Sequence, residues 1–93
     1  MDQATMLQML KVDLGLTTTA YDARLATLLT VAATEIAEEG ITLSSASMQD
    51  GNLQVLYAAW LWRKRDSGEG MPRMLRWMLN NRLFAEKVDG GES

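Results

Sequence analysis

The chain has 93 residues, enough for a single compact core, and 47% of them are hydrophobic, too many for a disordered chain. It contains no cysteine and no histidine, which removes disulfides, thiolate metal sites, and the commonest general base and metal ligand. The net charge of −3 is unevenly spread: residues 1–62 carry two basic and seven acidic side chains, residues 63–87 seven basic and three acidic, and the tail adds Asp89 and Glu92.

Two blocks of opposite sign let copies of one molecule attract each other head to tail. Catalysis would have to rest on carboxylates, lysines and hydroxyls alone, so no enzyme activity and no cofactor are expected. Met1 is followed by Asp2 with no basic stretch, so no signal peptide is expected. The longest apolar run, Val55 to Trp62, falls far short of the roughly 20 residues of a membrane span. The default compartment is then a reducing cytoplasm.

Four helices are predicted, giving an all-α fold: a compact bundle of four short helices with a mobile glycine-rich loop before the last. Residues 1–88 form its single domain, and 89–93 form a frayed C-terminal tail. The first helix starts near Asp2 as N-cap, sets Leu7, Leu10 and Leu14 on one face, and ends at Gly15 with Leu16 folding back. Thr17–Thr19 reads as a loop. The second helix opens on Thr19 and Asp22 at capping-box spacing and carries Leu25, Leu28, Leu29, Ala32 and Ile36 as its apolar stripe. Small residues, Ala23, Thr27, Thr30 and Thr34, occupy the opposite face, open to solvent or to a neighbouring subunit. Gly40 stops this helix, and Ile41 and Leu43 run through a linker.

Ser47 and Asp50 signal the start of the third helix. Leu53, Leu56, Tyr57, Trp60 and Leu61 form one of its faces, and Val55, Ala58, Ala59 and Trp62 another. A helix apolar nearly all round has to be buried on more than one side, and four short helices promise too little protein to cover both faces. Asp66–Gly70 reads as the mobile loop, and Pro72 takes the first turn of the fourth helix, which extends to about Lys87. Met71, Leu75, Met78, Leu79 and Leu83 are its core stripe. Arg73, Arg76, Asn80 and Lys87 form a basic stripe beside it, and Trp77 and Phe84 a second apolar ridge.

Three groups are candidates for function. Glu35, Glu38 and Glu39 are helix neighbours able in principle to bridge a hard cation, but carboxylates at a helix end without histidine read first as a solvated surface, and no metal is expected. Arg63, Lys64 and Arg65 suit the negative end of the third helix and make a weak nucleic-acid footprint in an acidic protein. Trp62 and Trp77 lie off the core stripes and neighbour arginines, the pair of residue types that most often anchors interfaces. The expected protein interface therefore comprises Trp62, Arg63, Lys64, Arg65, Arg73, Arg76, Trp77 and Phe84 on one side of a contact between copies. Glu35, Glu38 and Glu39 lie on the other.

Four segments carry a resemblance: Thr19-Ala20-Tyr21-Asp22-Ala23-Arg24-Leu25, Tyr57-Ala58-Ala59-Trp60-Leu61-Trp62-Arg63-Lys64-Arg65, Gly68-Glu69-Gly70-Met71-Pro72-Arg73-Met74-Leu75-Arg76 and Leu79-Asn80-Asn81-Arg82-Leu83-Phe84. In this order and spacing, over about residues 5 to 87, the chain resembles phage and prophage head–tail connector proteins. The resemblance implies a helical adaptor of the virion neck, made and assembled in the bacterial host cytoplasm. Such adaptors stack as a ring of roughly a dozen copies under the portal protein and meet a stopper or tail-completion protein below. DNA would only pass through the channel, and the family has no catalytic residues to carry over. One alternative from the residues is a small helix-turn-helix regulator using Arg63–Arg65 or the basic stripe; the long glycine-rich loop argues against it. A carboxylate-dependent enzyme around Glu35, Glu38 and Glu39 is another.

Overall fold

The computed structural model describes residues 1–91, which form α1 (Gln3–Leu14), α2 (Asp22–Glu38), α3 (Met48–Ser67) and α4 (Arg73–Gly91), with no strand among the described residues. The fold is thus an all-α bundle of four helices. Its Cα envelope measures 47 × 28 × 17 Å, and the short dimension fits two helix layers whose axes lie about 8–10 Å apart.

Local chemistry sets most of the helix ends. The Asp2 carboxylate accepts a hydrogen bond from the Thr5 N–H at 2.8 Å and caps α1; the Thr5 side chain first and this N–H second hold its carboxyl below the ordinary carboxylate range. At the other end Gly15 adopts φ 70°, which lets its N–H reach the Val12 carbonyl and the Leu16 N–H reach that of Lys11. Ser47 caps α3 by accepting from the Asp50 N–H at 3.1 Å. The expected capping box of α2 does not form: Tyr21 is the N-cap and makes no side-chain capping bond. Asp22 instead sends its carboxylate to Lys11, 2.9 Å away, and so ties the starts of α2 and the end of α1 together.

α3 is the centre of the molecule and packs against α1, α2 and α4. Leu53, Val55, Tyr57, Ala58, Ala59 and Leu61 are all buried on it. The expectation that four short helices could not cover both apolar faces of α3 is corrected: α1 and α2 lie on it on one side and α4 on another. Alanines at 58 and 59 allow that close approach. From α1 the core receives Met6 and Leu10, with Leu7 and Leu14 half-buried; from α2 it receives Leu25, Leu29, Ala32 and Ile36. Fifteen buried hydrophobic residues form one continuous cluster, so a single core serves the whole domain.

α4 closes the bundle with Leu75 and Leu79 buried and Met71, Met78 and Leu83 half-buried. Its middle comes so near the end of α2 that a Cβ on Gly40, at φ 102°, would lie 3.2 Å from Leu83 Cδ1. The connection before α4 is shorter than the sequence suggests, because α3 continues through Asp66 and Ser67 to a left-handed cap at Gly68. Beyond Val88, where a frayed tail is expected, the helix continues to Gly91; Glu92 and Ser93 lie outside the described residues.

Candidate functional site

The two sides of α4 differ sharply. Leu75 and Leu79 are 4% and 0% exposed, whereas Met74, Trp77, Phe84 and Val88 are 66%, 63%, 69% and 47% exposed. Helical spacing is the cause: Trp77 is two residues from both Leu75 and Leu79, and Phe84 five beyond Leu79, offsets that turn each toward the far side of the helix. Single exposed apolar residues are ordinary, but four large ones along one helix are a patch. Trp77 and Phe84 therefore stand where the sequence places them, as a ridge outside the core.

Trp62 differs. It is half-buried, its ring meets Tyr21 edge-on at 5.4 Å between centroids, and the Arg65 guanidinium stands 4.7 Å from its centroid. Its apolar area is largely spent within its own chain. Trp60 behaves alike, with Lys64 4.5 Å from its ring centroid and its indole N–H donating to the Glu69 carbonyl at 3.3 Å. Arg63 donates to the Asp13 carbonyl at 3.3 Å and joins the ends of α3 and α1. The Arg63-Lys64-Arg65 run is thus partly absorbed in tryptophan contacts and a helix-end bond.

The acidic side of the expected contact needs a larger correction. Arg76 and Glu39, assigned to opposite sides of a contact between copies, pair with each other inside one chain, through two bonds of 2.9 and 3.3 Å. Glu35 accepts from the Tyr57 hydroxyl at 2.9 Å. Burial pushes the Tyr57 phenol up, and the neighbouring Glu35 carboxylate adds to the effect. Both pairs arise because the end of α2 lies across α3 and α4, which one-dimensional charge counting does not show. Of these three glutamates only Glu38 is exposed, and on the opposite block Arg73 is likewise exposed. No group of three or more potential metal ligands converges among the described residues.

The strongest polar constellation was not singled out from the sequence. Arg82 donates to both oxygens of Asp50 (2.8 and 3.2 Å), to Glu86 (3.2 Å) and to the Thr42 carbonyl (2.7 Å). Thr42 N–H in turn donates to Glu86, and Ser44 N–H to Asp50, both at 2.8 Å. The cluster fastens the α2–α3 linker, the start of α3 and the middle of α4 at one point. Burial alone would raise the Asp50 carboxyl, but the hydrogen bonds from Arg82 and Ser44 and the Arg82 charge outweigh it and hold it below the ordinary range. Every carboxylate and guanidinium in it is turned to its neighbours, so the arrangement does structural work.

Beside it, α3 and α4 bound an open cleft of about 410 Å³ lined by Gln49, Asn52, Leu53, Trp77, Met78 and Ala85 among others. Its walls offer amides and apolar carbon beside the mutually paired Asp50 and Arg82, with no pairing of a nucleophile and a base. No helix is long and apolar enough to cross a membrane among the described residues.

Fold and surface together define a small helical domain with one cation–carboxylate fastening and one outward apolar ridge. Comparison with protein-family models, with curated proteins and with solved structures finds no match to this chain.

Proposed function

We propose that this chain is a structural virion protein, a head–tail connector whose copies form a ring under the portal, extend the DNA channel and join head to tail. The observation that carries this reading is the α4 ridge. A domain that buries Leu75 and Leu79 completely, yet holds Trp77 and Phe84 outward on the same helix, is built to be covered by another protein surface. The four resembling segments over residues 5 to 87 supply the kind of assembly. Contacts between two different surfaces of the same chain close into rings, and an acidic protein with net charge −3 suits a wall that lets DNA slide past.

The charge contribution is narrower than the sequence implies. With Arg76 and Glu39 paired internally, Arg73 and Lys87 on α4 and Glu38 on α2 remain as exposed opposite charges to orient neighbours. Exposed pairs contribute about 0–1 kcal/mol each, so aromatic burial has to supply most of the affinity.

Electron microscopy of the chain mixed with a portal tests the proposal. The expected result is an added ring of roughly a dozen copies on one end of the portal; unchanged portals would count against it. The five-residue connection Gly68–Pro72 is close to a helix-turn-helix turn, which keeps the regulator alternative open to a direct test. Fluorescence anisotropy with duplex DNA at physiological salt should show weak, sequence-independent binding. Nanomolar, sequence-specific binding would favour the regulator.

A further inference from the structure

The exposed residues of α4 carry a second regularity. Met74, Trp77, Asn81, Phe84 and Val88 are all exposed and follow one another at spacings of three, four, three and four. That is an a/d heptad seam, with methionine, asparagine and valine at a and the two aromatics at d. It runs opposite the side that holds Leu75, Leu79, Arg82 and Glu86 against the domain, so the helix can use both faces at once. We propose that two copies of this chain pair through α4 as a parallel, in-register seam, with Asn81 facing Asn81 across the contact.

The central asparagine selects the occupant. A polar a residue inside an apolar seam is satisfied when the facing helix offers its own amide in the same layer, and a second α4 in register does so. Running antiparallel, Asn81 would face Trp77 or Phe84 and lose its partner. The flanks agree. In the parallel pair the g residues Arg73 and Asn80 lie beside Met78 and Ala85 of the second copy, so the Arg73 stem covers an apolar side chain and no like charges meet at these positions. The antiparallel pair would bring Arg73 toward Lys87, a repulsive contact.

The area is sufficient. Four large side chains about half to two-thirds exposed present on the order of 500 Å² per copy. Doubling by symmetry brings the seam alone to about the 1,000 Å² that a specific interface requires. The seam, 15 residues long from Met74 to Val88, spans roughly 22 Å. The apolar stripes of α1 and α2 are spent in the core, and the large exposed apolar side chains outside α4, Val12, Tyr21 and Met48, stand singly and form no competing seam.

The pairing does not rest on the connector reading. If both hold, the pair is the form of the free chain, and it shields the ridge until a ring contact replaces it. Sedimentation equilibrium of the full chain should show a reversible monomer–dimer equilibrium. Trp77→Ala should raise the dissociation constant about thirtyfold or more at unchanged helix content. Asn81→Leu should release the restriction to pairs and give larger species. Orientation is read by cross-linking, since the chain has no cysteine of its own. Phe84→Cys alone and Met74→Cys alone should each form disulfide-linked dimers on mild oxidation. A monomer at every concentration overturns the proposal. So does a dimer indifferent to Trp77→Ala, or linkage that appears only when the two cysteine variants are mixed. Dimers without portal rings would count against the connector reading alone, and rings without dimers against the pairing alone.

Discussion

α3 and α4 start from a similar amount of apolar side chain and end in opposite situations. On α3 the second apolar face is closed over by α1 and α2, leaving Val55, Ala58 and Ala59 inaccessible. α4, at the edge of the same bundle, packs mainly on α3 and meets only the end of α2, and its second ridge stays outside with Trp77 and Phe84. An apolar face therefore becomes core or interface according to where its helix sits in the stack, not according to its composition. Side-chain size differs between these two faces: Ala58 and Ala59 sit where helices crowd on α3, and Trp77 and Phe84 stand outward on α4.

The contrast can be broken by mutation. Leu79→Ala should have the largest effect, about 2–5 kcal/mol of lost stability in urea unfolding, because the side chain is fully enclosed and leaves a cavity. Asp50→Ala should follow at about 2–3 kcal/mol, since it strips Arg82 and the Ser44 N–H of their acceptor at a buried site. Hydrogen exchange should then quicken in α4 around Arg82. The sign with pH is fixed: the folded-state Asp50 carboxyl is held below its unfolded value of roughly 3.9, so its contribution is complete above that value and lost as pH falls through the folded one. The stability gap between the wild type and Asp50→Asn should accordingly close on acidification. Breaking the exposed Arg76–Glu39 pair should cost only about 0–1 kcal/mol, measured by a double-mutant cycle.

Much of this was legible beforehand, and the misses have physical reasons. Asp2, Gly15 and Ser47 act through bonds to residues at most four positions away, which local sequence specifies. The α2 start failed because Asp22 had a better partner in Lys11, eleven residues back. Arg82 and Asp50, 32 residues apart, left a fainter signal. Arg82 continues the Leu75–Leu79 face of α4, and Asp50 continues the Leu53–Tyr57–Leu61 face of α3, so periodicity puts two opposite charges on core-facing positions. Arg76 and Glu39 gave no such hint: the chain cannot say whether an exposed pair closes within one copy or between two until the helices are placed.

The most direct test of the division between the two faces of α4 sets Trp77→Ala beside Leu79→Ala. Thermal melting and mass would be measured for both, at a dilution where free chains dominate and again at high concentration. Trp77→Ala should keep the stability of the dilute wild-type chain within about 0.5 kcal/mol and lose association, while Leu79→Ala should melt early at either concentration. If Trp77→Ala destabilises the dilute chain as severely as Leu79→Ala, the ridge belongs to the core and the account is wrong.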